Sequence, residues 1–186
     1  MNTNITSREA ILEACRRIVA ERGMKALSMR LVADECHIAL GTLYNYFADK
    51  DALVLATVES IWRDVFHGGD TNPAKASFTG CVAELYGRMR RGAQAYPGFL
   101  TGHAIGIAGD VRGEARGRMD GALAHIRAGM LEALRRDPSV PQAAFTAEFT
   151  QDAFVGFVLN HLLILLVQGQ SDCAALLEII RRVLRG

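Results

Sequence analysis

The sequence predicts an all-α protein, and three observations carry that prediction. Half of the 186 residues are hydrophobic, so a sizeable core is available and disorder is not expected. Apolar side chains recur at helical spacing nearly throughout, and no strand-like alternation is sustained over five residues. The four prolines are sparse.

The elements follow in order. Thr6 to Gly23 reads as a first helix. Thr6 and Glu9 fit a capping box, Ile11, Leu12, Cys15, Ile18 and Val19 form the apolar face, and Gly23 is the stop. Ser28 can cap a short helix over Met29–Glu35, with Leu31 and Val32 facing inward. Cys36, His37 and Ile38 make a tight turn into a second short helix, Ala39 to about Phe47. Two short helices joined by so few residues form a helix-turn-helix, whose second helix is available for a groove. Asp49 can cap a fourth helix through Leu53, Val54, Val58, Ile61, Trp62 and Val65, which ends at the loop His67–Pro73. Five more helices are predicted over 76–96, 98–108, 110–136, 144–168 and 172–184, giving about nine in all. The spacing divides the chain into residues 1–48, a helix-turn-helix domain, and residues 49–186, a helical domain. The helix over 49–66 connects the two.

Net charge is +1, so the chain is no general polyanion binder, and any nucleic-acid contact must come from a local patch. Even residues 1–50 carry only seven basic side chains against six acidic ones. Cys15, Cys36, Cys81 and Cys173 lie far apart without C-x-x-C spacing, which suggests neither a zinc site nor a redox motif. Scattered thiols, and an N-terminus without a signal-like apolar core, point to the cytoplasm. The charge-free run Ala153–Ser171 contains Asn160 and His161, and its strongly apolar part falls short of the roughly 20 residues a membrane span needs. His103, His125 and His161 fall on different helices, and no histidine pair has metal spacing. No nucleophile elbow, phosphate loop or nucleophile–base pairing is legible, so neither catalysis nor a cofactor is expected.

The run Gly41–Leu53, "GTLYNYFADKDAL", carries the most information. Tyr44, Asn45 and Tyr46 are consecutive, and consecutive helical residues point about 100° apart, so at least one faces outward. Together with the capped first helix, "LSMRLVADE" and "DKDAL", the run resembles the DNA-binding domain of tetracycline-repressor-like regulators. The resemblance covers about a quarter of the chain, residues 6–53; the remainder matches in helix count and length. It implies a ligand-responsive transcriptional regulator, most simply a repressor released from a palindromic operator by a small effector.

By resemblance, Ser28, Arg30, Thr42, Tyr44, Tyr46 and Lys50 match family contact positions on double-stranded DNA. Their chemistry fits: hydroxyls and cations bind phosphate oxygens and set register, Arg30 can also clamp a guanine, and Gly41 lets backbone approach closely. Leu43 and Phe47 are the expected anchors to Ile18, Val32 and Val54. The chain departs from the pattern at His37-Ile38-Ala39-Leu40-Gly41, where the family usually has something like Gly-Val-Ser-Lys-Gly. The turn glycine is His37, the serine cap is Ala39, and the polar base reader is Leu40. Apolar Ala39 and Leu40 can still pack on thymine methyl groups, so a thymine preference in each half-site is expected.

Beyond the head, a pocket lined by Trp62, Phe66, Tyr86, Met89, Phe99, Met119 and Phe157, with His103 and His161 as polar members, would take an apolar or aromatic molecule; the same residues also read as ordinary core. The run Arg88–Arg91 reads as a solvated helix face. Gly113, Gly117, Gly121, Ala124 and Ala128 make a small-residue stripe that either packs closely on a neighbouring helix or leaves room for a ligand. The last two helices are apolar too widely for one face. They are expected to form a two-fold four-helix homodimer interface through Val155, Leu159, Leu162, Leu166, Leu177, Ile180 and Leu184. The alternative from another class is a helical small-molecule carrier or enzyme with a vestigial head.

Overall fold

The computed structural model describes residues 7–67, 77–99 and 113–185. Among them it holds eight α-helices, two 3₁₀ turns and no strand. The helices are α1 (Arg8–Arg22), α2 (Met29–Glu35), α3 (Leu40–Tyr44), α4 (Lys50–His67), α5 (Phe78–Ala95), α6 (Gly113–Arg136), α7 (Gln151–Val167) and α8 (Ala174–Arg185). All but the first two residues of the helix expected over 98–108 lie outside the described residues.

Local chemistry sets most boundaries. The cap of α1 is Ser7 rather than Thr6: its Oγ accepts the Ala10 N–H at 3.1 Å. Glu9 does not close a capping box but pairs with Arg16 at 3.1 Å. Gly23 ends the helix at φ 77°, with its N–H on the Val19 carbonyl. Ser28 caps α2 through the Leu31 N–H, and Asp49 caps α4 through the Ala52 N–H at 2.8 Å. α3 is shorter than the expected 39–47. No side chain caps it at Ala39, and beyond Tyr44 the N–H groups of both Tyr46 and Phe47 converge on the Leu43 carbonyl. α7 begins at Gln151 rather than 144. Thr150 caps it, and just upstream Thr146 and Phe149 bond each other in a turn that a helix could not contain.

α4 links the two parts of the chain by packing on α1 at one end and on α5 and α6 beyond. Its Thr57 hydroxyl satisfies the Leu53 carbonyl at 2.8 Å, and its Ser60 Oγ accepts from Arg16 of α1. One continuous cluster of buried side chains therefore runs from Ile11 to Leu184. The seam at residue 48 is a change of layer, not a gap in packing.

α5 is the central clamp. Arg88 bonds Glu84 and the Phe66 carbonyl, Tyr86 bonds the Gln170 carbonyl, and Arg90 bonds the Ser171 carbonyl. The basic run expected as a solvated face thus ties the end of α4 and the α7–α8 turn to one helix. Asp137 ties the far end: its carboxylate accepts the Phe78 N–H at 2.6 Å and both the hydroxyl and N–H of Ser139.

Two expectations about the helical domain are corrected. Val155, Leu159, Leu162, Leu166, Ile180 and Leu184 are buried inside the single chain, and Leu177 is partly so. α7 is apolar all round, so its sequence alone could not say which side meets its own neighbours. The large apolar side chains left exposed on these helices are Phe157, Ile164, Val167 and Ile179. The small-residue stripe on α6 also faces outward where its side chains are described. Gly121, Ala124 and Ala128 are exposed, and a Cβ at Gly121 would meet nothing within 4 Å. No described helix is long and apolar enough to cross a membrane.

Candidate nucleic-acid interface and effector site

The turn between α2 and α3 sets the direction of α3. His37 takes φ 53°, the left-handed conformation usually left to glycine, while its N–H reaches the Asp34 carbonyl and that of Ile38 the Ala33 carbonyl. This reversal throws α3 across α2. Leu43 is fully buried and Phe47 nearly so, with the Arg8 guanidinium 5.2 Å over the Phe47 ring. With those anchors inward, residues around them point out: Tyr44 is 49 % exposed, and Leu40 and Tyr46 are each 37 % exposed. Ala39, Gly41 and Asn45 are exposed, Thr42 is half-buried, and a Cβ at Gly41 would meet nothing within 4 Å.

Ser28 and Arg30 lie at the start of α2, and Lys50 at the start of α4. Ser28 is half-buried, and its Oγ accepts from Leu31, so the hydroxyl proton remains for another acceptor. Arg30 and Lys50 are exposed, and neither forms an ion pair among the described residues. By contrast, Arg16 and Arg17 of α1 are held by Glu9, Glu13 and Glu35. The α4 N-terminus is already occupied by the Asp49 carboxylate. Anion attraction there rests on the Lys50 ammonium rather than on the helix end.

The effector-site residues separate into groups. Trp62 and Phe66 stack at 5.2 Å, and Phe99 meets Trp62 edge-on at 5.8 Å. Tyr96 joins them through Phe99 and donates to the Asp64 carboxylate at 2.7 Å. Burial, helped by that carboxylate, pushes the Tyr96 phenol up to about 12. Tyr86 and Met89 are buried on α5. Phe157 and His161 stack on each other at 6.1 Å on α7, with Phe157 57 % exposed and His161 half-buried. The inward ring of that helix is Phe154, among Phe78, Phe145 and Phe149. His103 and the Met119 side chain lie outside the described residues. Tyr96 and Asp64 were missed; the i, i+3 step from Tyr96 to Phe99 was the available signal.

The described groups offer no nucleophile set. Burial raises all four thiols, Cys15 to about 11, and all four are free. No cluster of metal-ligating side chains occurs among the described residues.

Residues 11–57 match the model of the tetR family of bacterial regulatory proteins. The regulator UidR of Escherichia coli (strain K12) is 40 % identical over 52 residues, which are 28 % of this chain and 26 % of that protein. The chain thus spans about a quarter of the length of the curated relatives it matches first. The solved structure of BioQ with its natural double-stranded DNA operator superposes with TM-score 0.56 at 20 % identity, over 89 % of this chain and 87 % of that one. The multidrug-binding protein EbrR complexed with imidazole superposes with TM-score 0.61 at 21 % identity, over 95 % and 89 %. The sequence match falls on the helix-turn-helix whose anchors and outward residues are described above, and the fold match extends over almost all the rest. Residues 11–57 thus match the DNA-binding part of the tetR family of bacterial regulatory proteins, and the chain as a whole shares the fold of these solved structures.

Proposed function

We propose that the protein is a ligand-responsive transcriptional regulator, most simply a repressor. It binds a near-palindromic operator as a homodimer and leaves it when a small apolar or aromatic molecule binds the helical domain. One observation carries the reading: Leu43 and Phe47 are locked inward while Leu40, Tyr44 and Tyr46 stand outward, and the cations Arg30 and Lys50 of the flanking helices are exposed as well. Thr42, Tyr44, Tyr46, Arg30, Lys50 and the Ser28 hydroxyl take phosphate oxygens, Gly41 admits the backbone, and Ala39, Leu40 and Asn45 face base edges. Two heads meet half-sites about 34–36 Å apart or a multiple of it. That BioQ was solved with its operator and EbrR with imidazole supports both halves of the reading. The exposed Phe157, Ile164, Val167 and Ile179 supply the surface for the second copy. The effector acts by binding more tightly to the conformation whose heads miss the half-sites.

The test is binding to the chain's own upstream DNA, or to a duplex selected from a random library, across a salt series. Two free cations per head give a dimer about four charge contacts, so log K should fall against log salt with a slope near −4. Lys50→Ala should make the slope shallower by about two, one contact per head. Leu40→Ala should erase a preference for thymine in each half-site. Binding no better than to random DNA at low salt, after selection, would leave the head vestigial and the helical domain as the function.

A further inference from the structure

The aromatic cluster of α4 holds an unsatisfied donor. Trp62 is the chain's single tryptophan. Its Nε1 is shut off from solvent and has no hydrogen-bond partner among the described residues. Native folds leave few such groups, because a buried N–H without an acceptor bears its full desolvation cost. The polar groups described on and around the neighbouring rings have partners of their own. The Tyr96 hydroxyl donates to Asp64, and the Phe66 carbonyl accepts from Arg88, whose charge is matched by Glu84 at 2.8 Å.

We propose that the effector carries an uncharged hydrogen-bond acceptor, a ring carbonyl or ring nitrogen on a flat apolar body, which takes the Trp62 Nε1–H. This inference rests on the effector-responsive reading above and names the chemistry of its ligand. Phe66 and Phe99 flank the indole and supply apolar area for the body of the molecule. A carboxylate is disfavoured: the cation in reach is already paired with Glu84, and Asp64 adds negative charge.

The single indole gives one N–H cross-peak in a spectrum of the ¹⁵N-labelled full-length protein. Two probes of one skeleton separate the acceptor from the apolar body: 1-indanone, with a ring carbonyl, and indane, without it. 1-Indanone should move the indole proton downfield and bind about tenfold more tightly than indane. Trp62→Phe should bring the two affinities together. Equal affinities in the wild-type protein, an indole peak unmoved at saturation, or no binding of either probe would overturn the proposal, and none of these needs the variant to fold. Operator affinity is measured alongside. A different compound that releases DNA while the indole peak stays in place would overturn the Trp62 assignment and keep the regulator. Binding of 1-indanone through the indole, with no change in DNA affinity, would keep the assignment and count against effector release.

Discussion

The α3 head and α7 solve opposite problems with similar side chains. Around α3, burial follows chemical type at every large side chain but Leu40: Leu43 is wholly buried and its neighbour Tyr44 is half exposed. On α7, burial and type are uncoupled: Leu162 is fully buried and Ile164, two residues on, is 50 % exposed, though both are large and apolar. In the head, chain-internal packing consumes the anchors and leaves polar tips for a polar partner. In α7, internal packing consumes half of an apolar surplus, and the remainder suits a partner that is itself apolar. An outward face thus takes its meaning from what the core has left over.

The largest expected effect breaks the comparison on α7 itself. Leu162→Ala should cost about 3 kcal/mol of folding stability, from lost burial and the cavity left behind. Ile164→Ala should cost within about 0.5 kcal/mol of protomer stability, as surface changes usually do. Urea unfolding with the dimer equilibrium followed by sedimentation separates them: the first should lower the midpoint at every concentration, the second should weaken association alone. Equal loss of dimer in both would return Leu162 to the interface.

A second test falls on the clamp of the helical domain, which has no counterpart in the head. Burial pushes the Asp137 carboxyl up, but hydrogen bonds from the Ser139 hydroxyl and from the Phe78 and Ser139 N–H groups outweigh it, and its net position is below the ordinary value. A folded-state pKa below the unfolded one adds stability above the unfolded value, about 3.9, and that stability is lost as pH falls through the folded one. Asp137→Asn should therefore cost about 1–3 kcal/mol at pH 7, and the gap to wild type should narrow as pH drops below about 4. A gap independent of pH would mean that the amide's shape, not the carboxylate's charge, accounts for the loss.

How much was legible follows the same division. The head could be read because its signals are local: Ser28 and Asp49 are caps, Gly23 is a stop, and the inward leucine and phenylalanine sit four residues apart. Ser7 took the place of Thr6 because the two offer the same hydroxyl one residue apart, and only the backbone decides which reaches Ala10. The helical domain was read by count but not by face. Val155, Leu162 and Ile180 were assigned outward because an all-apolar helix carries no phase. Tyr96–Asp64 and Phe78–Asp137 span 32 and 59 residues, and no window on the sequence brings such partners together.

The smallest expected effect returns to the turn that aims α3. His37 stands at φ 53°, where an L side chain crowds its own backbone by roughly 1–2 kcal/mol. His37→Gly removes the crowding but adds backbone freedom to the unfolded chain, which takes back part of the gain. The net should be a stabilisation of about 0.5–1 kcal/mol, read as a higher urea midpoint. Because the His37 and Ile38 N–H bonds belong to the backbone, the turn and the direction of α3 should be kept, and operator affinity should change little. A stabilised variant that binds DNA several-fold worse would show that the imidazole, exposed beside the recognition surface, does more than fill the turn. It would then join Arg30 and Lys50 among the groups that face the phosphates.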